Sequence, residues 1–311
     1  MTPVHPSPAC ARQVIVAGDV TLNYATAHDS GSYTEQIPTT AAPEKPLPVI
    51  FDFHGYAEPG QLQVMLSGLG SYGRTHHFVT ITPWINNRSV PYWLSTVGSK
   101  DLAWFGELLS HVESTTCVDE NRVFVTGYSN GAFMSSAIAY EYSSRVAAVA
   151  PIAGIQAVSP CRTTRPVPVV AFHGTADPLV HYDGSASTTA RDLPAPAGSR
   201  TLSSTQLAKI FGVAGVFSSG PSVPQQAASW AKRTRCTAKE SATPIASDVT
   251  LLVWPCPTGA NVELFRVGGG GHTWPGSEVS AALASVVGRT TMSISADAEM
   301  WSFFRVHPLT R

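Results

Sequence analysis

Two short segments near the start of the chain alternate apolar and polar residues and predict paired β-strands. They cover residues 13–16 and 20–24, and Gly18 and Asp19 stand between them. Alternation with a period of two is typical of strands that bury one face, and a Gly-Asp pair suits a turn. The pattern therefore predicts an antiparallel edge at the N-terminal side of a sheet.

From residue 47 onward, apolar runs alternate with helical patterns. The predicted strands cover residues 49–53, 79–82, 123–126, 146–150, 167–172, 251–254 and 262–267. The predicted helices cover residues 61–72, 101–114 and 132–142, and a last helix carries Met300, Trp301 and Phe304. Strand–helix alternation is typical of a mainly parallel sheet with helices on both faces. We therefore expect an α/β fold in which one sheet runs through the whole chain.

Residues 183–223 interrupt this series. The segment is rich in Ser, Thr, Ala, Gly and Pro, and only residues 207–211 have a locally ordered pattern. A long, weakly patterned segment inside a compact domain is usually a functional insertion. We predict a cap or lid over the functional site, inserted in a single domain of residues 1–311.

Composition narrows the class of ligand. Only 13% of the 311 residues are charged and the formal net charge is −1, so the chain has no basic field for nucleic acid or anionic lipid. We expect a neutral or weakly charged ligand, a monomer, and neither a nucleic-acid nor a membrane partner. No signal-peptide pattern and no apolar run of 18 residues is visible. The composition nevertheless favours a secreted or periplasmic protein, whose signal would already have been removed.

Cysteine spacing argues against a metal or redox site. The five cysteines form no C-x-x-C pair and no metal-ligand spacing with histidine; they are Cys10, Cys117, Cys161, Cys236 and Cys256. Cys236 and Cys256 bracket a short polar stretch and the start of an apolar strand, a separation that a hairpin-like loop closes. We predict a disulfide between these two, an unpaired thiol because the total is odd, and no metal or organic cofactor.

The most informative motif joins a predicted strand to a predicted helix. Residues 127–131 read Gly-Tyr-Ser-Asn-Gly, a G-x-S-x-G sequence between the strand 123–126 and the helix 132–142. In this context the motif is typical of a nucleophile elbow, whose glycines leave room for a strained serine backbone. We predict that Ser129 is a nucleophile held above the sheet.

A serine hydroxyl is a poor nucleophile unless a base lies within hydrogen-bond reach. The chain order typical of this elbow is serine, then acid, then histidine. Asp177 follows the strand 167–172 in the sequence His-Gly-Thr-Ala-Asp, and His272 follows the strand 262–267 and four glycines. We predict Asp177 as the acid and His272 as the base. The alternative for Asp177 is a turn-capping role, with Asp183 as the nearest competing acid.

Attack on an ester places negative charge on the carbonyl oxygen, which two preorganised N–H donors are expected to stabilise. Asn130 supplies one donor from its backbone. The second is expected from the loop after the strand 49–53, where His-Gly-Tyr occupies residues 54–56, and Tyr56 N–H is the candidate. An ordinary glycine turn is the alternative for this loop.

Five blocks of the chain occur in this order in a known group of enzymes. They are residues 51–56 (FDFHGY), 125–131 (VTGYSNG), 147–154 (AAVAPIAG), 173–177 (HGTAD) and 269–276 (GGGHTWPG). From about residue 48 to the C-terminus, the chain resembles the feruloyl esterase and polyhydroxybutyrate depolymerase-like esterases of the α/β-hydrolase superfamily. The resemblance implies the α/β-hydrolase fold. It also implies a Ser129, Asp177 and His272 triad with Tyr56 and Asn130 as oxyanion donors.

The chain departs from the group at two places. Where many relatives carry a cysteine at the end of the nucleophile helix, this chain has Tyr140, so a disulfide from there to the neighbourhood of Cys161 is not expected. Relatives often have a proline where His181 stands, and the cap region is the least alike.

Together these patterns predict a secreted serine carboxylic ester hydrolase that forms an acyl-enzyme. The resemblance implies feruloyl or acetyl esters of plant cell-wall polysaccharide, or polyesters such as polyhydroxybutyrate, as substrates. Trp93 and Trp274, with Tyr56, are aromatic residues near the predicted site and are the candidates for binding substrate; a packing role is the alternative for each. A serine peptidase on the same fold and a non-catalytic carbohydrate-binding relative are the alternatives.

Overall fold

The computed structural model describes residues 2–12, 17–39, 42, 45–158, 163–196, 203, 206, 210, 219–237, 239–257 and 261–310. Three predictions fall wholly or mostly outside these residues: the strand at 13–16, the ordered segment at 207–211 and the pairing of Cys161. The predicted cap at 183–223 is described only in part.

Ten strands of the described residues form one sheet. They are β1 Gly18–Ala25, β2 Ser30–Ile37, β3 Leu47–Phe53, β4 Val79–Ile85, β5 Val118–Tyr128, β6 Ala148–Ile152, β7 Val169–Gly174, β8 Ser241–Ala246, β9 Val249–Trp254 and β10 Val262–Val267. Their order across the sheet is β1-β2-β4-β3-β5-β6-β7-β10-β9-β8.

The six central strands, β4-β3-β5-β6-β7-β10, pair in parallel. The two outer strands on each side, β1-β2 and β9-β8, pair antiparallel with their neighbours. The prediction of a mainly parallel sheet with an antiparallel N-terminal edge is confirmed. Because the carboxyl ends of parallel strands meet at one edge, the loops after β3, β5, β7 and β10 converge there.

Helices cover both faces of the sheet. Their bounds are α1 Gly60–Ser67, α2 Leu69–His76, α3 Lys100–Thr115, α4 Asn130–Glu141, α5 Val223–Arg233, α6 Glu278–Ala282, α7 Ala284–Val287 and α8 Ala296–Phe304. Side chains of α3, α4 and α5 pack with one buried cluster, and those of α1, α2 and α8 with another. Val49 and Phe51 of β3 join the first cluster and Ile50 joins the second, as expected for side chains that alternate across a strand.

Two details of the predicted elements are wrong. Gly18 and Asp19 do not form a turn, because both lie in β1, where they pair with Ile37 and Gln36 of β2. The predicted helix at 61–72 is two helices, α1 and α2, separated by Gly68. That glycine has a φ of 67°, and its N–H bonds the carbonyl of Val64 to end α1. Glycine adopts this left-handed conformation without a steric cost, so it ends the first helix.

Two disulfides lie in the described residues. Cys236 and Cys256 are bonded, as the sequence predicts, and Cys10 is bonded to Cys117 across a separation of 107 residues. The second pair joins the N-terminal segment to the start of the central strand β5. No helix of the described residues is long and apolar enough to cross a membrane.

Candidate active site

Ser129 occupies a strained turn between β5 and α4. Its φ is 56° and its ψ is −115°, and its N–H bonds the carbonyl of Ile152 on β6 at 2.9 Å. The flanking glycines make this turn possible. A Cβ at Gly127 would stand 2.4 Å from the carbonyl oxygen of Gly131, and one at Gly131 would stand 2.0 Å from that of Phe53. The strain therefore lies where the sequence motif predicts a nucleophile.

Asp177 and His272 form a buried hydrogen-bonded pair. His272 Nδ1 lies 2.7 Å from Asp177 Oδ2. The other carboxylate oxygen, Oδ1, accepts the N–H groups of Leu179 and Val180, both at 2.8 Å. Burial favours the neutral carboxyl, but the adjacent His272 and His173 outweigh it and hold the pKa of Asp177 well below its usual range. An ionised Asp177 selects the Nδ1–H tautomer of His272, which leaves Nε2 to accept a proton.

A second histidine contacts the same carboxylate. His173 Nε2 lies 3.2 Å from Asp177 Oδ2 and 2.8 Å from the carbonyl oxygen of Val180. The sequence analysis did not single out this contact of His173 with Asp177. Its position four residues before Asp177, at the end of a strand, was the available signal. Two histidines therefore hold the orientation of one carboxylate.

The loop that carries His272 is fixed by backbone contacts. His272 N–H bonds the carbonyl of Val287 at 2.6 Å, and the Tyr128 hydroxyl donates to the carbonyl of His272. Glycines allow the close packing around this loop: a Cβ at Gly174 of β7 would stand 2.2 Å from the carbonyl oxygen of Gly270, and one at Gly271 would stand 2.2 Å from that of Val287. Close packing therefore accounts for Gly270 and Gly271, whereas a Cβ at Gly268 would meet no atom nearer than 3.4 Å.

Ser129 and His272 line one cavity of about 230 Å³. Gly55 and Tyr56 of the loop after β3 contribute another part of its wall. The structure thus brings the ends of β3, β5 and β10 to one space, with Asp177 behind His272. The remaining lining is mostly aliphatic and includes Leu62, Leu66, Leu179, Leu193, Leu283 and Val286.

The two predicted oxyanion donors belong to the residue after Ser129 and to the loop after β3, which shares a cavity with Ser129. Asn130 is the first residue of α4, where backbone N–H groups have no acceptor within the helix. Its side-chain oxygen accepts the backbone N–H of Trp93 at 2.6 Å, and its side-chain NH₂ donates to the carbonyl of Ile210 at 2.7 Å. Beyond Tyr56, Ala57 has a φ of 57° and its N–H bonds the carbonyl of Pro91 at 2.8 Å. The loop is a constrained turn beside the nucleophile.

Trp93 and Trp274 are not among the residues that line the cavity, and their burial favours the packing alternative over substrate binding. They are 0% and 1% exposed. Trp93 donates its indole N–H to the carbonyl of His54 at 3.2 Å, and Trp274 donates to Asp297 at 2.9 Å. Both support the loops that carry the site. Motif position alone did not reveal that these large rings fill the space behind the loops.

Glu58 is a further residue of the cavity wall that the sequence did not single out. It stands three residues after Gly55 in the loop after β3, and it is 6% exposed. A lone glutamate in a loop carries no sequence signal of burial, because glutamates in loops are usually solvated.

Sequence comparisons relate the chain to esterases. No protein-family model matches it. NocK of Nocardia uniformis subsp. tsuyamanensis, a protein named as an esterase, is 34% identical over 57% of this chain and 49% of NocK. Feruloyl esterase D of Neurospora crassa is 27% identical over 57% of this chain and 63% of that enzyme. The chain spans between about half and just under two thirds of the length of these relatives.

A solved structure establishes the class of fold. The acetyl xylan esterase from Aspergillus awamori superposes with a TM-score of 0.58 over 92% of this chain and 99% of that enzyme, at 13% identity. Such a likeness concerns the fold alone. The chain has the α/β-hydrolase fold, as predicted, and within that class its sequence is similar to esterases and feruloyl esterases.

Proposed function

We propose that the chain is a serine carboxylic ester hydrolase with Ser129 as nucleophile, His272 as base and Asp177 as acid. The observation that carries the proposal is the buried pair of His272 and Asp177, at 2.7 Å, on the same cavity as a serine in a strained elbow. That combination is what acyl transfer requires: a base in a fixed tautomer and a nucleophile held out of the sheet.

In the proposed reaction, His272 Nε2 takes the proton of Ser129 while the Ser129 oxygen attacks the acyl carbon. The N–H groups of Tyr56 and Asn130 stabilise the charge on the carbonyl oxygen. The alcohol leaves with the proton from His272, and an acyl-enzyme remains. Water then attacks the acyl carbon, with His272 again as base, and Ser129 leaves with the returned proton.

The proposed substrates are feruloyl or acetyl esters of plant cell-wall polysaccharide, or polyesters such as polyhydroxybutyrate. The names of the feruloyl and acetylxylan esterase relatives support the first class. The aliphatic lining of the cavity supports an apolar acyl group. We also propose export from the cytoplasm, which two disulfides support because they persist in oxidising compartments.

Hydrolysis of p-nitrophenyl acetate by the wild type and by Ser129→Ala tests the activity. The proposal expects turnover by the wild type and none above background by the variant, whereas equal rates reject it. Methyl ferulate, acetylated xylan and a polyester emulsion are then compared by kcat/KM. Turnover of the emulsion alone would rule out cell-wall esters as substrates. Cleavage of an aminoacyl p-nitroanilide, with no ester hydrolysed, would favour the peptidase alternative.

A further inference from the structure

The Glu58 carboxyl lies beside the nucleophile. Its Oε2 accepts a hydrogen bond from Gly55 N–H at 2.6 Å. A Cβ at Gly55 would stand 2.7 Å from that oxygen and 3.5 Å from Ser129 Cβ. The carboxyl and the nucleophile therefore flank the same glycine, and Glu58 ties down the turn from which the Tyr56 N–H projects.

The second oxygen of this carboxyl, Oε1, is buried and forms no hydrogen bond within the described part of the chain. An ionised carboxylate in an apolar site without further donors is costly, whereas a neutral acid is tolerated. Burial, reinforced by the neighbouring Asp52, raises the pKa of Glu58 to about 8. Glu58 therefore carries a proton at neutral pH.

The other ionisable groups near Glu58 come from three elements and its own loop. Asp52 lies on β3, where Gln63 of α1 donates to it at 2.6 Å, and burial raises its pKa to about 7. His54 precedes Gly55, and burial lowers its pKa to about 4, so it is neutral. Tyr128 at the end of β5 has a pKa raised well above 10 by burial and by Glu58. His272 shares the cavity.

A charge on Glu58 would oppose acyl transfer. The transition state places negative charge on the carbonyl oxygen next to the loop that Glu58 holds, and like charges repel strongly in a dry site. A neutral carboxylic acid avoids this repulsion and still accepts the Gly55 N–H through its carbonyl oxygen.

We propose that Glu58 is a positioning residue that works as a neutral carboxylic acid: it fixes Gly55 so that the Tyr56 N–H faces the reacting carbonyl oxygen, and its deprotonation lowers kcat at alkaline pH. This inference rests on the esterase function proposed above.

The test compares the pH profiles of kcat and KM for the wild type, Glu58→Gln and Glu58→Ala. Glutamine keeps a carbonyl acceptor and has no proton to lose. We expect Glu58→Gln to retain most of kcat at pH 7 and to lack the alkaline decline of the wild type. Glu58→Ala frees the turn, and we expect kcat to fall about 10- to 100-fold with KM little changed, short of the loss of a whole oxyanion donor.

Two further variants locate the titrating group. Asp52→Asn removes a neighbouring charge that raises the pKa of Glu58, so the alkaline decline should begin at lower pH. Glu263→Gln is the matched control, because burial also raises the pKa of this carboxyl on β10 to about 7, yet it is not in the wall of the cavity. Its profile should keep the decline of the wild type.

Thermal unfolding supplies a readout that does not depend on activity. A carboxyl whose pKa is raised on folding binds its proton more tightly in the folded state. Its contribution to stability therefore falls as pH rises from the ordinary value of 4.5 to about 8. As the pH is raised over this range, the Tm of Glu58→Gln should therefore increase relative to the Tm of the wild type at the same pH.

Three results overturn the inference: a wild type with no alkaline decline, a Glu58→Gln variant that keeps the decline, or one as inactive as Glu58→Ala. Activity that survives in Ser129→Ala would instead refute the esterase proposal, and the Tm comparison would still decide the charge state of Glu58.

Discussion

The substitution Asp177→Asn is expected to reverse the tautomer of His272 without disturbing the fold. In the carboxylate, Oδ1 accepts two backbone N–H groups, from Leu179 and Val180, and Oδ2 accepts from His272. An asparagine has only one oxygen to offer. Two fixed backbone N–H donors select that oxygen, since His173 Nε2 keeps its shorter contact with the carbonyl oxygen of Val180, so the amide NH₂ faces His272. The imidazole then turns its unprotonated Nδ1 to the amide and carries its proton on Nε2, where it cannot accept one from Ser129.

The magnitude follows from this loss of the base. In a serine protease triad, the same change of acid lowers kcat about 10⁴-fold. That factor corresponds to about 5 kcal/mol of activation free energy. Because the two N–H groups at 2.8 Å favour this orientation of the amide, we expect a loss of this order here, with KM little changed.

The assay is hydrolysis of p-nitrophenyl acetate at pH 7 by Asp177→Asn, with Asp183→Asn as the matched control. Asp183 is exposed and bonds Ser185 N–H at 2.9 Å, away from His272. The control should retain the wild-type rate. A kcat for Asp177→Asn within tenfold of the wild type would refute the reasoning, and a collapse of Asp183→Asn alone would make Asp183 the acid.

Two further predictions concern stability. Gly131→Ala should fail to fold or lose many degrees of Tm, because its Cβ would stand 2.0 Å from a backbone carbonyl oxygen of β3, whereas Gly268→Ala, with its nearest atom at 3.4 Å, should fold normally. Equal Tm values for the two variants would contradict this. Replacing Cys10 and Cys117 by serine should cost about 1.5 kcal/mol more than removing the other disulfide, since 107 residues separate the first pair and 20 the second. Denaturant unfolding measures the free energy of unfolding without each disulfide. A larger loss on removal of the Cys236–Cys256 bond would refute the loop-entropy reasoning.

The parts of the fold that the sequence predicted are those with strong periodicity. Buried parallel strands read as apolar runs, and the linked helices show an apolar stripe, so the order of strands and helices from β3 to α4 could be predicted. The two strands that were missed are polar. β2 is buried over most of its length although it contains Thr34, Glu35 and Gln36, and β8 at the opposite edge is largely exposed. Neither gives the alternation that marks a strand.

The candidate site also has a part that the sequence predicts and a part that it does not. The convergence of Ser129, Asp177 and His272 at one end of the sheet could be predicted because each follows a recognisable strand in a fixed chain order. The role of Glu58 could not be predicted, because it depends on which side chains become buried at the junction of several loops, and the contact of His173 with Asp177 had only the spacing of the two residues as a signal. Whether Trp93 and Trp274 pack or bind substrate also depends on which side chains become buried.

The most direct test of the central claim is detection of the acyl-enzyme. The protein is mixed with p-nitrophenyl acetate, quenched with acid and analysed by peptide mass spectrometry. The proposed chemistry predicts one acetyl group on the peptide that contains Ser129, lost on further incubation and absent from Ser129→Ala. Hydrolysis with no label on that peptide, or the same label in the variant, would contradict it.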